Sequence, residues 1–233
     1  MPDVTIAAAD GGSFAAYLAL PQGATDKRPG IVMMQQIFGV NAEMRSLTDL
    51  YASKGYVALC PDLFWRMEPG VQINHPVPKE QIAKALDLAN RFDTAHAIAD
   101  LKATVSFLRT HAACNGKVGT IGYCLGGRLA YQMATQADTE ANIGYFGVAV
   151  EKYLDEAPRL TKPLLLHMPE LDHQCPPEAQ ALIKATLAGK ATLYSYPGAD
   201  HAFNRIGAKT YDAAVTQLAD GRTNDFLRTH LGA

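Results

Sequence analysis

The sequence predicts an α/β fold with a mostly parallel central sheet that is flanked by helices on both faces. Short apolar runs alternate with amphipathic stretches along the chain, and this alternation is typical of parallel strands connected by crossover helices. Apolar residues make up 48% of the 233 residues and charged residues 19%, a balance that excludes a disordered or fibrous chain. Because α/β units of this length commonly form one core, a single domain over residues 1–233 is expected.

The apolar runs are the predicted buried strands. They occupy residues 30–34, 56–59, 117–121, 143–146, 163–167 and 192–196. Residues 5–20 precede them and contain the pair Gly11-Gly12, which predicts a hairpin at one edge of the sheet.

Helices are predicted where apolar side chains recur at three- and four-residue steps. These stretches are residues 43–54, 96–110, 125–136, 177–187 and 210–230. Gly221 argues against the last stretch being one continuous helix. Residues 66–78 hold three prolines and show little periodicity, so a surface loop is predicted there.

Charge, hydropathy and cysteine spacing exclude several classes of protein. A formal net charge of -2 gives no basic balance that would favour nucleic acid or an anionic membrane. No stretch approaches the roughly 20 apolar residues of a membrane span, and the N-terminal residues lack the pattern of a signal peptide. The four cysteines form no C-x-x-C pair and no zinc-finger spacing. A reduced, cytoplasmic protein without a metal is therefore expected.

The candidate nucleophile is Cys124, in the segment Gly122-Tyr123-Cys124-Leu125-Gly126-Gly127. A predicted strand precedes this segment and a predicted helix follows it, which is the context of a nucleophile elbow. The glycines allow a tight turn that lifts the central side chain out of the sheet. The helix N-terminus favours a thiolate over a thiol. The alternative is a glycine-rich turn around an inert, buried cysteine.

A thiol nucleophile needs a base, and the base needs a group that orients it. In the hydrolase order the nucleophile comes first, the acid second and the histidine last. Asp172 follows the predicted strand at residues 163–167, and His201 follows the strand at residues 192–196. Because both lie beyond the carboxyl ends of their strands, both are expected at the sheet edge that displays Cys124.

Three neighbouring residues are weaker candidates for these roles. Asp200 adjoins His201 but is interpreted as a turn residue, and His173 as a loop histidine beside Asp172. His167 ends an apolar strand, where a hydrogen-bonded core histidine is the expected structure.

The chain resembles the dienelactone hydrolase (carboxymethylenebutenolidase) family, which consists of cysteine-dependent α/β-hydrolases. The resemblance covers nearly the whole chain and is carried by the elbow and by the segments Gln36-Ile37-Phe38-Gly39-Val40-Asn41, Cys60-Pro61-Asp62-Leu63, Gly144-Tyr145-Phe146-Gly147, Asp172-His173 and Gly198-Ala199-Asp200-His201. It implies an α/β-hydrolase fold without a cofactor. It also implies that Cys124 attacks a lactone carbonyl, that His201 transfers protons and that Asp172 orients His201. The backbone N–H groups of Ile37 and Leu125 would form the oxyanion hole.

The chain departs from the family pattern at Gln36, where the family usually has a glutamate that takes the cysteine proton. An amide has no group that titrates near neutral pH, so Gln36 removes this activation route. We therefore hypothesise that His201 ionises Cys124 directly, as a Cys–His pair.

The residues that would recognise the substrate depart from the family pattern as well. Arg205 matches one of the arginines by which the family binds a substrate carboxylate, although a solvated loop charge is the alternative. No arginine occurs in residues 81–90 to match the other one. Lys79 and Lys84 are possible replacements, but surface charges are the favoured interpretation. Tyr145 is expected either to line the pocket or to belong to the core.

These observations predict a monomeric hydrolase that acts on a small lactone or ester, with or without a carboxylate. Two other functions remain open at this point. A non-catalytic binder would fit the loss of the activating carboxylate at Gln36. A thiol redox sensor would fit an accessible Cys124, although no resolving cysteine lies close to it in sequence.

Overall fold

The structure is a computed structural model that describes residues 3–232. Its strands are β1 (Asp3–Ala7), β2 (Ser13–Ala19), β3 (Arg28–Met34), β4 (Val57–Pro61), β5 (Cys114–Tyr123), β6 (Ala141–Tyr145), β7 (Leu164–Pro169) and β8 (Thr192–Tyr196). They form an eight-stranded sheet in the order β1-β2-β4-β3-β5-β6-β7-β8. The pairs β3–β4, β6–β7 and β7–β8 are parallel, whereas β1–β2 and β2–β4 are antiparallel. The predicted edge hairpin and the predicted, mostly parallel sheet are therefore confirmed.

The helices are α1 (Ala42–Ser53), α2 (Lys79–Arg91), α3 (Thr94–Thr110), α4 (Leu125–Gln136), α5 (Pro177–Leu187) and α6 (Ala213–Leu231). A kinked 3-10 segment covers Val150–Arg159. Side-chain oxygens cap three helices: Asn41 accepts from Met44 N, Asp93 from His96 N, and Asp212 from Val215 N. Each cap satisfies an N–H group that has no partner within its helix. Among the described helices, none is both long and apolar enough to cross a membrane.

Two elements were not predicted from the sequence, namely α2 and the 3-10 segment. The buried face of α2 is narrow, since only Ala85 and Leu88 are buried while Ile82 and Leu86 are exposed. The reservation about Gly221 was wrong, because α6 runs through it without a break. Residues 66–78 contain no helix or strand, in agreement with the predicted loop.

The described chain divides into two compact units, residues 3–119 and residues 120–232. In the first unit, the buried carboxylate of Asp100 accepts hydrogen bonds from Trp65 Nε1 at 2.8 Å and from Arg66 Nη2 at 2.8 Å. In the second unit, side chains of α4, α5 and β7 form an apolar core. That the whole chain is one domain stays a prediction.

In the second unit, the backbones of α4 and β6 pack closely against each other. A Cβ atom on Gly144 would lie 2.6 Å from Gly127 O, and one on Gly127 would lie 2.5 Å from Tyr145 O. Real Cβ atoms do not approach carbonyl oxygens this closely, so the helix reaches the strand only because both positions lack side chains.

We expect Gly144→Ala to lower the free energy of unfolding by about 1–3 kcal/mol, because the added methyl group forces α4 and β6 apart. Gly221→Ala is the matched control, since no described atom lies within 4 Å of a Cβ atom placed there. That change should stabilise α6 by roughly 0.5–1 kcal/mol, because alanine is the better helix former. Urea unfolding of both variants measures the two effects, and equal effects of the same sign would contradict this account.

Candidate active site

Cys124 lies in a strained turn between β5 and α4. Its backbone φ is 56° and its ψ is -113°, a conformation that residues other than glycine rarely adopt. Three backbone hydrogen bonds hold it there. Its N–H donates to Tyr145 O at 3.0 Å, and its carbonyl accepts from Arg128 N and Val148 N, both at 3.3 Å. The predicted strand, tight turn and helix are confirmed.

The turn tolerates only very small neighbours. A Cβ atom on Gly122 would lie 2.0 Å from Gly126 O, well inside contact distance. Cys124 itself is 9% exposed. The elbow therefore leaves only a small part of Cys124 accessible.

Asp172 and His201 form a direct hydrogen bond in the second unit. Asp172 lies in the loop after β7 and His201 in the loop after β8, as the sequence predicts. Asp172 Oδ2 lies 2.8 Å from His201 Nδ1, and Asp172 Oδ1 accepts from Gln174 N at 2.8 Å. Because the carboxylate is buried and held at both oxygens, it fixes the orientation of the imidazole ring.

The environment of His201 raises its pKa from 6.5 to about 9. Burial by itself lowers the pKa, but hydrogen bonds to Asp172 and Cys124 and the charges of these groups outweigh it. The ring also packs edge-on against Phe146, with their centroids 4.8 Å apart. The structure thus brings the predicted nucleophile, base and acid together, with His201 between the other two.

The weaker candidates lie where the sequence indicated. Asp200 Oδ1 accepts from the backbone N–H of His201 at 2.6 Å, as a turn residue does. His173 is exposed, 3.8 Å from Asp200 Oδ1. His167 is fully buried between Tyr196 and Thr223.

Asp172, His173 and Asp200 are the described residues whose arrangement comes closest to a metal site. Their potential ligand atoms lie within 4.8 Å of one another. However, both oxygens of Asp172 already accept hydrogen bonds, from His201 and from Gln174 N. A metal ion there would have to break the orientation of His201, so we assign none.

The prediction that Tyr145 contacts the substrate is wrong. Its side chain is fully buried, and its hydroxyl contacts Thr223 Oγ1 at 2.7 Å and Asp220 Oδ1 at 3.2 Å. The alternative, a core tyrosine, is the observed one. Phe146 rather than Tyr145 contacts His201. Phe146 follows the last residue of β6 and has a φ of 38°, so the extended strand ends before it.

The remaining predicted residues are described within their own units. Gln36 follows β3 in the first unit and is nearly buried, and its Nε2 donates to Glu43 Oε1 at 3.3 Å. Ile37 comes next in the chain and is half-buried. In the second unit, Arg205 is half-buried in the loop after His201. Lys84 pairs with the exposed Glu68, which supports its interpretation as a surface charge.

The raised pKa of His201 makes the stability of the folded protein depend on pH. The stabilisation is fully present below the unfolded-state pKa of about 6.5 and is lost as the pH rises through about 9, because the folded state binds the proton more tightly. Urea unfolding between these pH values should show a falling free energy of unfolding. Asp172→Asn should flatten this slope, whereas the loop control His173→Gln should keep it. A slope that Asp172→Asn leaves unchanged would contradict the assignment.

Comparison with known proteins identifies the family. The model of the dienelactone hydrolase family matches residues 14–231. A protein of Azospirillum brasilense, provisionally named carboxymethylenebutenolidase, is 42% identical over 240 residues and covers 100% of both chains. The carboxymethylenebutenolidase of Pseudomonas sp. (strain P51) is 38% identical over 226 residues, covering 97% of this chain and 94% of its own.

The sheet and helices also match solved structures. A Klebsiella pneumoniae protein, provisionally named a dienelactone hydrolase, superposes with a TM-score of 0.85 at 25% identity over 97% of this chain and 96% of its own. An alpha/beta hydrolase from Penicillium has a TM-score of 0.74 at 15% identity over 100% of this chain and 99% of its own, which supports the fold alone. The chain therefore belongs to the dienelactone hydrolase family of enzymes, and its fold is the α/β-hydrolase fold.

Proposed function

We propose that the protein hydrolyses a lactone or small carboxylic ester with Cys124 as nucleophile, His201 as general base and Asp172 as the residue that orients His201. Family membership supports hydrolysis of a lactone or ester. The observation that carries the mechanism is the 2.8 Å hydrogen bond between Asp172 Oδ2 and His201 Nδ1, in a histidine whose pKa is raised by both Asp172 and Cys124. This is the arrangement that an activated thiol requires.

In the proposed first step, His201 accepts the thiol proton and the sulfur attacks the substrate carbonyl. Asp172 stabilises the imidazolium that forms and keeps its other nitrogen directed at the thiol. Collapse of the tetrahedral intermediate gives a thioester on Cys124, and the alkoxide that leaves takes the proton from His201. His201 then deprotonates a water molecule, which attacks the thioester and regenerates the thiol.

The negative charge of the intermediate needs hydrogen-bond donors. The N–H of Leu125 is the first of α4 and therefore has no partner within the helix. Because it directly follows the nucleophile and carries the positive end of the helix dipole, we assign it to the oxyanion hole. The second donor that the family resemblance implies, the N–H of Ile37, stays a prediction.

Gln36 supports activation of the thiol by His201. The amide of Gln36 cannot take up a proton, so the route that the family glutamate would provide is closed in this chain. His201, in contrast, has its pKa raised to about 9, which makes it a strong acceptor for the thiol proton. We infer that His201 takes the thiol proton directly, so that Cys124 and His201 act as a pair.

Other functions find less support. A non-catalytic binder is not favoured by the family assignment. A redox sensor would need a second thiol that ionises, but burial raises the pKa of Cys175 in the same unit to about 12. Cytoplasmic location and a monomeric state stay predictions.

Arg205 supports a substrate that bears a carboxylate. It lies in the loop that also carries His201, four residues along the chain, and is only half-buried. A guanidinium at such a position can bind a carboxylate through two parallel hydrogen bonds.

Cys124→Ala should lower the rate of dienelactone hydrolysis, followed by ultraviolet absorbance, at least about a thousandfold, because the acyl-enzyme can no longer form. Cys175→Ala is the matched control and should retain most of the activity, since burial keeps that thiol protonated. His201→Ala should abolish the thiolate absorbance of Cys124 near neutral pH.

Mass spectrometry of the quenched reaction should find the acyl group on the peptide that contains Cys124. Equal activity of native protein and Cys124→Ala would refute the thiol mechanism. A thiolate absorbance that persists in His201→Ala would refute direct activation by His201.

Arg205→Gln should raise KM for a carboxylate-bearing lactone by roughly tenfold or more, in line with the loss of a charged hydrogen bond, and should leave KM for an uncharged ester nearly unchanged. Arg228→Gln is the control, because that arginine is exposed on α6 and pairs with Asp225. Equal KM effects of Arg205→Gln on both substrates would rule out carboxylate recognition by Arg205.

A further inference from the structure

A chain of hydrogen-bonded side chains is buried below the candidate active site in the second unit. His167 Nδ1 lies 2.6 Å from Tyr196 Oη, and His167 Nε2 lies 2.9 Å from Thr223 Oγ1. Thr223 Oγ1 lies 2.7 Å from Tyr145 Oη, which donates to Asp220 Oδ1 at 3.2 Å. Tyr145, His167, Thr223 and Tyr196 are all buried. This series of hydrogen bonds crosses the neighbouring strands β6, β7 and β8 and ends at Asp220 on α6.

The carboxylate of Asp220 sets the direction of every proton in this chain. A carboxylate only accepts, so the single O–H of Tyr145 points at Asp220. Tyr145 Oη must then accept from the hydroxyl of Thr223, and Thr223 Oγ1 must accept from His167 Nε2–H. Burial lowers the pKa of His167 to about 3, so its ring is neutral and has one proton to give. His167 Nδ1 consequently accepts from Tyr196 Oη.

Each strand that contributes to the chain also holds a part of the candidate active site. The carbonyl of Tyr145 accepts the N–H of Cys124 at 3.0 Å. β7 continues from His167 into the loop of Asp172, and β8 continues from Tyr196 into the loop of His201. These two loops are joined by hydrogen bonds from Glu170 N to Tyr196 O at 3.1 Å and from Leu171 N to Ala199 O at 2.9 Å.

Phe146 provides a second connection to His201. Its N–H donates to His167 O at 2.9 Å, and its φ is 38°, in the left-handed region. The ring of Phe146 is the one that packs edge-on against His201. A displacement of His167 would therefore move both the carbonyl that holds Cys124 and the ring that supports His201.

We propose that Thr223 and His167 are positioning residues that hold the Cys124 turn and His201 in their reactive geometry, and that His167 is fixed as the Nε2–H tautomer. Neither residue reaches the substrate. Thr223 is the central member, because its hydroxyl both accepts from His167 and donates to Tyr145. The inference rests on the proposed thiol mechanism for its effect on turnover, but the tautomer and the geometry of Cys124 can be measured without turnover.

The test compares Thr223→Val with Thr223→Ser. Valine keeps the shape of the side chain but leaves His167 Nε2–H and Tyr145 Oη without their shared partner, whereas serine keeps the hydroxyl. We expect Thr223→Val to lower kcat by roughly ten- to a hundredfold, as misplacements of about 1 Å do, with KM changed less than about twofold. Thr223→Ser should restore kcat to within about threefold of the native value.

Two further measurements separate positioning from loss of folding and from failure of the proposed function. Nitrogen NMR of the native protein should show His167 protonated at Nε2 and bare at Nδ1. The rate at which iodoacetamide alkylates Cys124 at neutral pH should fall in Thr223→Val and recover in Thr223→Ser. Urea unfolding shows whether each variant still folds. Tyr196→Phe removes the hydroxyl that binds His167 Nδ1 and is the second test variant.

Unchanged kcat and alkylation rate in a folded Thr223→Val protein would overturn the proposal, and so would the Nδ1–H tautomer or a Thr223→Ser variant as slow as Thr223→Val. If the native protein hydrolyses no lactone, the proposed function fails, while the alkylation rates and the tautomer still decide the positioning role. If Thr223→Val does not fold, Tyr196→Phe takes its place, and a native alkylation rate in that variant overturns the proposal.

Discussion

The left-handed backbone conformation of Cys124 depends on the hydrogen bonds and the glycines that surround it. A cysteine at a φ of 56° stores strain that local interactions cannot relieve. The turn persists because three backbone hydrogen bonds hold it. It also needs glycine at position 122, since a Cβ atom there would lie 2.0 Å from Gly126 O. Gly127 and Gly144 must also lack side chains, because α4 and β6 approach each other closely at these positions. The proposed nucleophile is thus held by close backbone packing, which the absence of side chains at these glycines permits.

The electrostatics of the site follow from the burial of Asp172. A buried carboxylate is costly unless its oxygens are hydrogen-bonded, and here they accept from His201 Nδ1 and Gln174 N. This arrangement orients the ring and raises the pKa of His201 to about 9, against the effect of burial. In the proposed mechanism the amide of Gln36 cannot accept the thiol proton, and His201 accepts it instead. The loss of a carboxylate at one position and the strength of the base at another are therefore parts of one account of activation.

The buried series of hydrogen bonds from Tyr196 to Asp220 shows that residues proposed to position a site can lie too deep to touch its substrate. Polar groups in a core are unfavourable when unsatisfied, but a fully connected network specifies one arrangement. Here the arrangement joins the strands whose loops carry Asp172 and His201 to the carbonyl that holds Cys124. Tyr145 is the member whose role changes most, because its motif suggested a contact with substrate while its hydroxyl faces α6.

Local patterns in the sequence determined most of the elements and indicated the residues of the candidate site. Apolar runs located six of the eight described strands, the pair Gly11-Gly12 located the edge hairpin, and apolar periodicity located five of the six described helices. This worked because the pattern of burial along a strand or a helix is a short-range property. The elbow was recognisable since strand, glycine turn and helix are contiguous, and the order of Cys124, Asp172 and His201 reflected the order of strand ends. The sequence did not predict α2 because only two of its residues are buried, which leaves little apolar periodicity. The tertiary structure alone decided the partners of Tyr145 and the part that Thr223 plays, since these two side chains are 78 residues apart and no spacing rule connects them. Side chains meet across such distances only when strands and helices pack, so their contacts follow from the fold and not from the local sequence.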